Sequence, residues 1–311
     1  MGLFGLSPED KYSHTLLVDS FFNVVYFLYI IRSESKESNT MRLGMPVLIE
    51  LPDLESNARL AAELELDFIE LSMCLPPYQN ERLSDGAFSR IADRYGIFYT
   101  IHMDELFDPF TFNRNTRRAF LETFHETYAS SKDLHIPVFN MHFSKGTYFT
   151  LPDRKMFLYQ NYYEDYITRV KEFRLFIEDT IDLEQTILCI ENTDVFSSFQ
   201  MDAVDLLLES PAFGLTYDIG HDHSNEYKDK EFMTSHLDRI RHMHIHNAIG
   251  KKNHLALDEG EMDVKTVFSF IQKQESSGIP MNVVVETKTV GALKKSISFC
   301  RSTELLCSSM R

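Results

Sequence analysis

The chain has 311 residues, with 31 Lys+Arg against 47 Asp+Glu, a formal charge of -16 at pH 7, and 12 His beside only 4 Cys. A 43% apolar fraction with 12 Gly and 10 Pro excludes a disordered or fibrous chain and allows a core that needs no cross-links. The acidic excess disfavours attachment to nucleic acid by bulk phosphate attraction. Cys74, Cys189, Cys300 and Cys307 form no C-x-x-C pair, which argues against a disulfide framework or thiolate zinc ribbon and for a reducing, cytoplasmic setting. Any metal would have to use His and carboxylates.

Residues 1–40 read as an N-terminal extension, with the catalytic unit expected to begin at Met41. An upstream extension of a reading frame that starts at Met41 would account for them. Within them, Thr15 to Ile31 is apolar but makes a poor membrane span: it carries Asp19 and Asn23, sits at the lower limit of spanning length and lacks the flanks of a signal peptide. No stable membrane association is expected.

After Met41, short apolar runs alternate with longer segments of helical period. The runs are Pro46–Leu51, Asp67–Ser72, Ile97–Met103, Pro137–Phe143, Thr186–Glu191, Gly214–Asp218, Ile240–His246 and Asn282–Glu286. They are continuous rather than alternating, as parallel strands buried on both faces are. Between them, Leu60, Ala61 and Leu64, then Phe120, Leu121, Phe124 and Tyr128, then Tyr166, Val170, Phe173 and Ile177 fall at helical spacing. This alternation predicts an α/β fold, a single-domain (β/α)8 TIM barrel. A doubly wound sheet would carry a glycine-rich turn after its first strand, where this chain reads LIELPDLESNAR.

In such a barrel the catalytic groups project from the C-terminal ends of strands. Those ends carry Glu70, His102, His142, Glu191, Asp218, His244 with His246, and Glu286, while His221, His242 and His254 lie in or beside them. His14, His125, His135, His223 and His236 are assigned to ordinary core or surface. ILCIENT buries the Glu191 carboxylate directly after an apolar strand, where an uncompensated charge costs several kcal/mol. NVVVETK repeats the situation at Glu286 and GLTYDIGH at Asp218, so a divalent cation is the natural compensation. Glu191, Asp218, His244 and Glu286 form a ligand set suited to Mn2+, Mg2+, Co2+ or Zn2+. His102, His142, His221, His246 and His254 are candidates for a second metal or for substrate.

The motifs FNMH (139–142), IENT (190–193), YDIGH (217–221), HMHIHN (242–247), HLALDEG (254–260) and VVETK (284–288), in this order at successive strand ends, resemble the xylose isomerase-like barrel superfamily. That superfamily includes endonuclease IV, tagatose epimerase, hydroxypyruvate isomerase and inosose dehydratase; the resemblance covers roughly Met41 to Thr289, within a barrel domain expected over 41–311. From the epimerases it implies a divalent-metal-dependent isomerase or epimerase of a small sugar, sugar acid or sugar phosphate. Proton transfer would pass through a metal-stabilised enediolate. Glu191, Asp218, His244 and Glu286 would hold the metal, and Glu191 and Glu286 would be the catalytic pair. His221 would bind substrate oxygens near the metal, with Lys288 and Glu259 as further substrate-binding candidates. Endonuclease IV implies an alternative, a zinc-dependent phosphodiester hydrolase whose additional ligands match His102, His142, His221 and His254. Lys252 stands where that enzyme has an aspartate ligand, which together with the charge disfavours DNA as substrate. A further alternative is a non-catalytic sugar- or partner-binding barrel.

The resemblance leaves a homo-oligomer open. Lys145 to Lys155 reads either as a lid supplying Lys145, Arg154 or Lys155 or as a solvated loop. Phe107, Phe110 and Phe112 either wall a pocket or pack the outer helices.

Overall fold

The computed structural model describes residues 41–275, 281–303 and 305. The expected extension over 1–40 and its apolar run lie outside them, as does His14. Among the described residues no helix is long and apolar enough to cross a membrane.

Eight parallel strands close into a barrel: β1 (Met41–Pro46), β2 (Phe68–Ser72), β3 (Phe98–His102), β4 (Val138–His142), β5 (Ile187–Glu191), β6 (Phe213–Asp218), β7 (Ile240–Ile245) and β8 (Met281–Val285). Each strand pairs with its neighbour in chain order, and β8 pairs with β1. The predicted (β/α)8 barrel is therefore observed. Seven runs sit within a residue or two of their predicted bounds, whereas the first differs. The strand is Met41–Pro46, not Pro46–Leu51. Proline has no N–H to continue the ladder, and the chain after it turns, with Leu51 N–H donating to Leu48 O (3.0 Å) and Leu48 N–H to Asn57 Oδ1 (2.8 Å).

Helices such as Leu54–Glu63, Arg114–Ser130, Tyr163–Thr180, Ser198–Leu208 and Val290–Ser302 cover the barrel. Their starts are set locally. Asp53, Asn113 and Thr289 cap backbone N–H groups with their side chains, and Ser197 with Gln200 forms a reciprocal capping box. Outward strand residues such as Ile101, Phe139, Met141, Leu188 and Leu215 are buried in the layer beneath these helices. Phe107 and Phe110 belong to that layer: Phe107 packs on Phe120 and Phe110 on Phe143 and Phe173, at centroid distances of 5.6, 5.2 and 5.3 Å. Phe112 packs edge-on against Tyr159.

The interior departs from an aliphatic barrel core. Glu70, Thr100, Asn140, Thr216, His242 and His244 are buried and bond to one another or to the strand-end acids across the interior. Inward positions of several strands are thus polar, while Phe68, Cys189 and Val284, two residues before Glu70, Glu191 and Glu286, keep apolar side chains on the same inward face.

At the bottom of the barrel Gly44 is in register with Phe68, and a Cβ on Gly44 would sit 2.5 Å from the Phe68 ring. That ring is stacked on Phe98 and cannot swing aside freely. Gly44→Val is expected to destabilise the chain by about 2 kcal/mol through overpacking, read as a lower urea midpoint at unchanged m-value; an unchanged midpoint would contradict this packing.

Candidate metal centre and active site

The strand ends deliver Glu191, Asp218, His244 and Glu286 from β5, β6, β7 and the residue after β8, and one ligand atom from each lies within 4.8 Å of the others. His244 is the hub. Its Nδ1 is 3.3 Å from Glu191 Oε1, 3.4 Å from Glu286 Oε2 and 4.0 Å from Asp218 Oδ2. Its Nε2 faces Glu70 Oε1 at 2.9 Å. In the neutral tautomer that carries its proton on Nε2, Nδ1 would present a lone pair to three carboxylates. Among the described residues, buried Asp218 Oδ2, Glu286 Oε2 and both ring nitrogens of His244 have no hydrogen-bond partner. Acceptors converging in this way fit a divalent cation.

Each acid is held by its other oxygen or by its backbone. Glu191 Oε2 accepts a short hydrogen bond from Asn140 Nδ2, and Asn140 Oδ1 in turn accepts from Thr216 Oγ1 (2.7 Å). Asp218 Oδ1 accepts from His221 N–H (2.7 Å), capping the short helix Ile219–Ser224, and Asn192 clamps the Asp218 backbone through both its N–H and C=O. Glu286 Oε1 pairs with Lys288 Nζ at 2.7 Å. In YDIGH the glycine is a packing requirement, because a Cβ on Gly220 would overlap the His246 ring.

Two further groups adjoin the quartet. His102 and His142 flank Glu191 Oε2 with their Nε2 atoms at 3.2 and 3.7 Å. His102 Nδ1 is 2.7 Å from Met103 O, so it carries the ring proton and leaves Nε2 as a lone pair in the neutral form. On the other side, His221, His246 and His254 bring ligand atoms within 4.8 Å of one another. His246 Nδ1 accepts from His254 N–H (3.0 Å), and its Nε2, 3.3 Å from Asp218 Oδ1, makes no hydrogen bond among the described residues. His254 adopts φ +56°, a conformation that costs a non-glycine residue energy and aims its ring back over the mouth.

Electrostatics follow from this crowding. Burial alone would raise the pKa of Glu191 and Glu286, but His244 foremost, with His142 and His102 at Glu191 and Lys288 at Glu286, holds both well below the carboxylate range. Burial opposes charge on His102 and His244 as well; Glu191 outweighs it, pushing His102 up to about 9 and His244 well above its ordinary value. Burial dominates at His142, which is lowered, and at His254, which falls to about 4. Metal ligands bind deprotonated, so cation uptake at this centre would release protons from His102 and His244.

A cavity of about 500 Å³ opens over the centre, lined by Glu70, His102, His142, Glu191, Glu286 and Lys288 among others. Lys288 therefore lies at the mouth. Glu259 does not line this cavity, and its carboxylate is paired with Lys295 at 2.6 Å. Residues Tyr148–Thr150 and Lys155–Phe157 form an exposed hairpin, in which Arg154 pairs with Asp153, while Lys145 Nζ lies 3.9 Å from Asp194. Sequence reasoning passed over Asn140, Thr216 and Asn192. The first stands within FNMH and the last within IENT, but nothing in one sequence marks an amide as the anchor of a buried carboxylate.

The profile of the xylose isomerase-like TIM barrel family matches residues 58–303, and the chain belongs to that family. Among solved structures, a D-tagatose 3-epimerase-like protein superposes with a TM-score of 0.65 at 21% identity, covering 86% of this chain and 97% of the other. L-ribulose 3-epimerase gives 0.62 at 16% identity, covering 87% and 99%. The 3-keto-D-glucoside 4-epimerase YcjR from E. coli gives 0.62 at 13%, covering 84% and 99%. At these identities the likeness shows a shared fold. No curated protein sequence matches the chain.

Behind the site, Asp229 joins the loop after β5 to the segment after β6: its Oδ1 accepts from Phe196 N–H (2.9 Å) and its own N–H donates to Asp222 Oδ1 (2.9 Å). Burial, with Asp222 adding repulsion, pushes its pKa from 3.8 up to about 6. The folded chain therefore holds this proton more tightly than the unfolded chain, and the group costs stability progressively as pH rises from about 4 to 6. Asp229→Asn keeps the acceptor and is expected to gain about 2 kcal/mol above pH 6, with no gain below pH 4, in urea unfolding across that range. A gain independent of pH would contradict the assignment.

Proposed function

We propose that the chain is a divalent-metal-dependent isomerase or epimerase of a small sugar, sugar acid or sugar phosphate. The observation that carries this reading is the convergence of Glu191 Oε1 and Glu286 Oε2 on one buried nitrogen, His244 Nδ1, from strands separated by β6 and β7. Structural neighbours described as sugar epimerases support it. Glu191, Asp218, His244 and Glu286 would hold the ion. When bound, the metal would polarise a substrate carbonyl and the adjacent hydroxyl and so acidify the hydrogen between them.

The protein's own groups divide the remaining work. Glu191 and Glu286 are the two carboxylates in position to remove and return that proton. They are unlike in their surroundings: Glu191 is 2% exposed and held by Asn140, whereas Glu286 is 12% exposed and paired with a lysine at the cavity mouth. His254 is kept neutral by burial beside Glu286, so it can bond substrate hydroxyls without adding charge, and the His221 ring lies beside it.

A second reading, a zinc-dependent phosphodiester hydrolase, is favoured by one specific observation: His102 and His142 complete a three-ligand group with Glu191 beside the quartet. Ion count separates the readings, one tightly held ion per chain for the isomerase and two or more for the hydrolase.

Turnover of a ketose or keto-acid substrate in deuterated water is expected to place deuterium on the carbon next to the carbonyl, read by mass spectrometry; turnover without such exchange contradicts proton-transfer chemistry. Glu191→Gln and Glu286→Gln are each expected to lower kcat by about 10²–10⁴-fold.

A further inference from the structure

Directly beneath the proposed metal centre lies a carboxylate to which neither the motifs nor the chemistry above assigns a task. Glu70, on β2, is 3% exposed, and both of its oxygens are engaged by β7 and β3 across the barrel. Its Oε1 faces His244 Nε2 at 2.9 Å; its Oε2 faces His242 Nε2 at 2.9 Å and accepts from Thr100 Oγ1 at 3.2 Å. Both histidines are fully buried. A carboxylate is acceptor-only; His242 Nε2 meets it in hydrogen-bond geometry, whereas His244 Nε2 lies close to it but off the hydrogen-bond angle, so the proton's place on His244 is the open point.

The consequence for His244 is chemical. Neutral imidazole carries one proton, and a proton fixed on Nε2 leaves Nδ1 as the lone pair, which is the atom that meets Glu191, Asp218 and Glu286. The opposite tautomer would point an N–H at the centre and a lone pair at Glu70, which makes it unable to ligate. His242 has no equivalent role, because its buried Nδ1 has no hydrogen-bond partner among the described residues. It uses its N–H to hold Glu70 from below while Thr100 holds it from the side.

We propose that Glu70 is a positioning residue that selects the metal-ligating tautomer of His244, with His242 and Thr100 fixing Glu70 in turn. The affinity part of this inference rests on the metal centre proposed above; the tautomer part does not. Support of this kind changes metal affinity by about 10–100-fold when removed.

The test measures zinc affinity by competition with a chromophoric chelator for Glu70→Met, which keeps similar bulk but removes the acceptor. Glu70→Gln, whose carbonyl retains one acceptor, is measured beside it. A 10–100-fold loss of affinity is expected for Glu70→Met and a smaller one for Glu70→Gln, on the folded protein at fixed pH. A purely structural Glu70 would lower the thermal midpoint of metal-free protein while leaving zinc affinity within about twofold, and that result overturns the proposal. Where Glu70→Met does not fold, the parent chain decides: 15N-detected histidine spectra of the metal-free protein, at a pH where His244 is neutral, must show its ring proton on Nε2. A proton on Nδ1 overturns the assignment. A chain that takes up no zinc contradicts the proposed function, while the spectra still decide the role of Glu70.

Discussion

Glu70, Glu191, Asp218 and Glu286 share the upper interior of the barrel, all of them buried or nearly so, and Lys288 at the rim is the cation paired with one of them. Carboxylates this close repel one another strongly, and each would cost several kcal/mol if left unpaired away from water. The rest of the interior answers that constraint. Histidines stand between the acids, Asn140 and Asn192 clamp two of them, and Thr100 and Thr216 satisfy the clamps and the innermost acid. Several inward positions that an ordinary barrel fills with branched aliphatic residues are here given to hydrogen bonds, while most of the apolar core lies in the layer between strands and helices and Phe68, Cys189 and Val284 fill the rest of the interior.

Chemical asymmetry follows from the same crowding. His244 touches every acid of the group, so the proton it carries, or the cation that replaces that proton, sets the charge state of the whole centre. Glu191 is enclosed and Glu286 opens toward the cavity beside Lys288. Both are held below the ordinary carboxylate range, His244 foremost against burial, so their asymmetry lies in exposure and partners rather than in resting protonation.

The barrel was legible because its strands and helices differ in length and period, and the quartet because acids directly after apolar runs stand out. Other parts were not. The first strand was displaced onto Pro46–Leu51, since Arg42 and Gly44 interrupt the apolar pattern of Met41–Pro46 that the barrel nevertheless pairs on both sides. The strands read as continuous apolar runs, yet Thr100, Asn140, Thr216, His242 and His244 face inward; period-two alternation is hidden when Thr, Asn and His stand among large aliphatic neighbours. Glu259 was singled out by its place in HLALDEG, but the turn carries it to Lys295. Glu70 was seen at a strand end without a task, because its partners are on β3 and β7 and only closure of the barrel brings them together.

The central claim is that this interior is organised around a divalent cation held by Glu191, Asp218, His244 and Glu286. Anomalous diffraction from crystals grown with Mn2+ tests it most directly. The account predicts an anomalous peak bonded to Glu191, Asp218, Glu286 and Nδ1 of His244 at about 2.0–2.3 Å, with His244 Nε2 still on Glu70. A peak lying elsewhere, or none at the quartet in saturating metal, would contradict it.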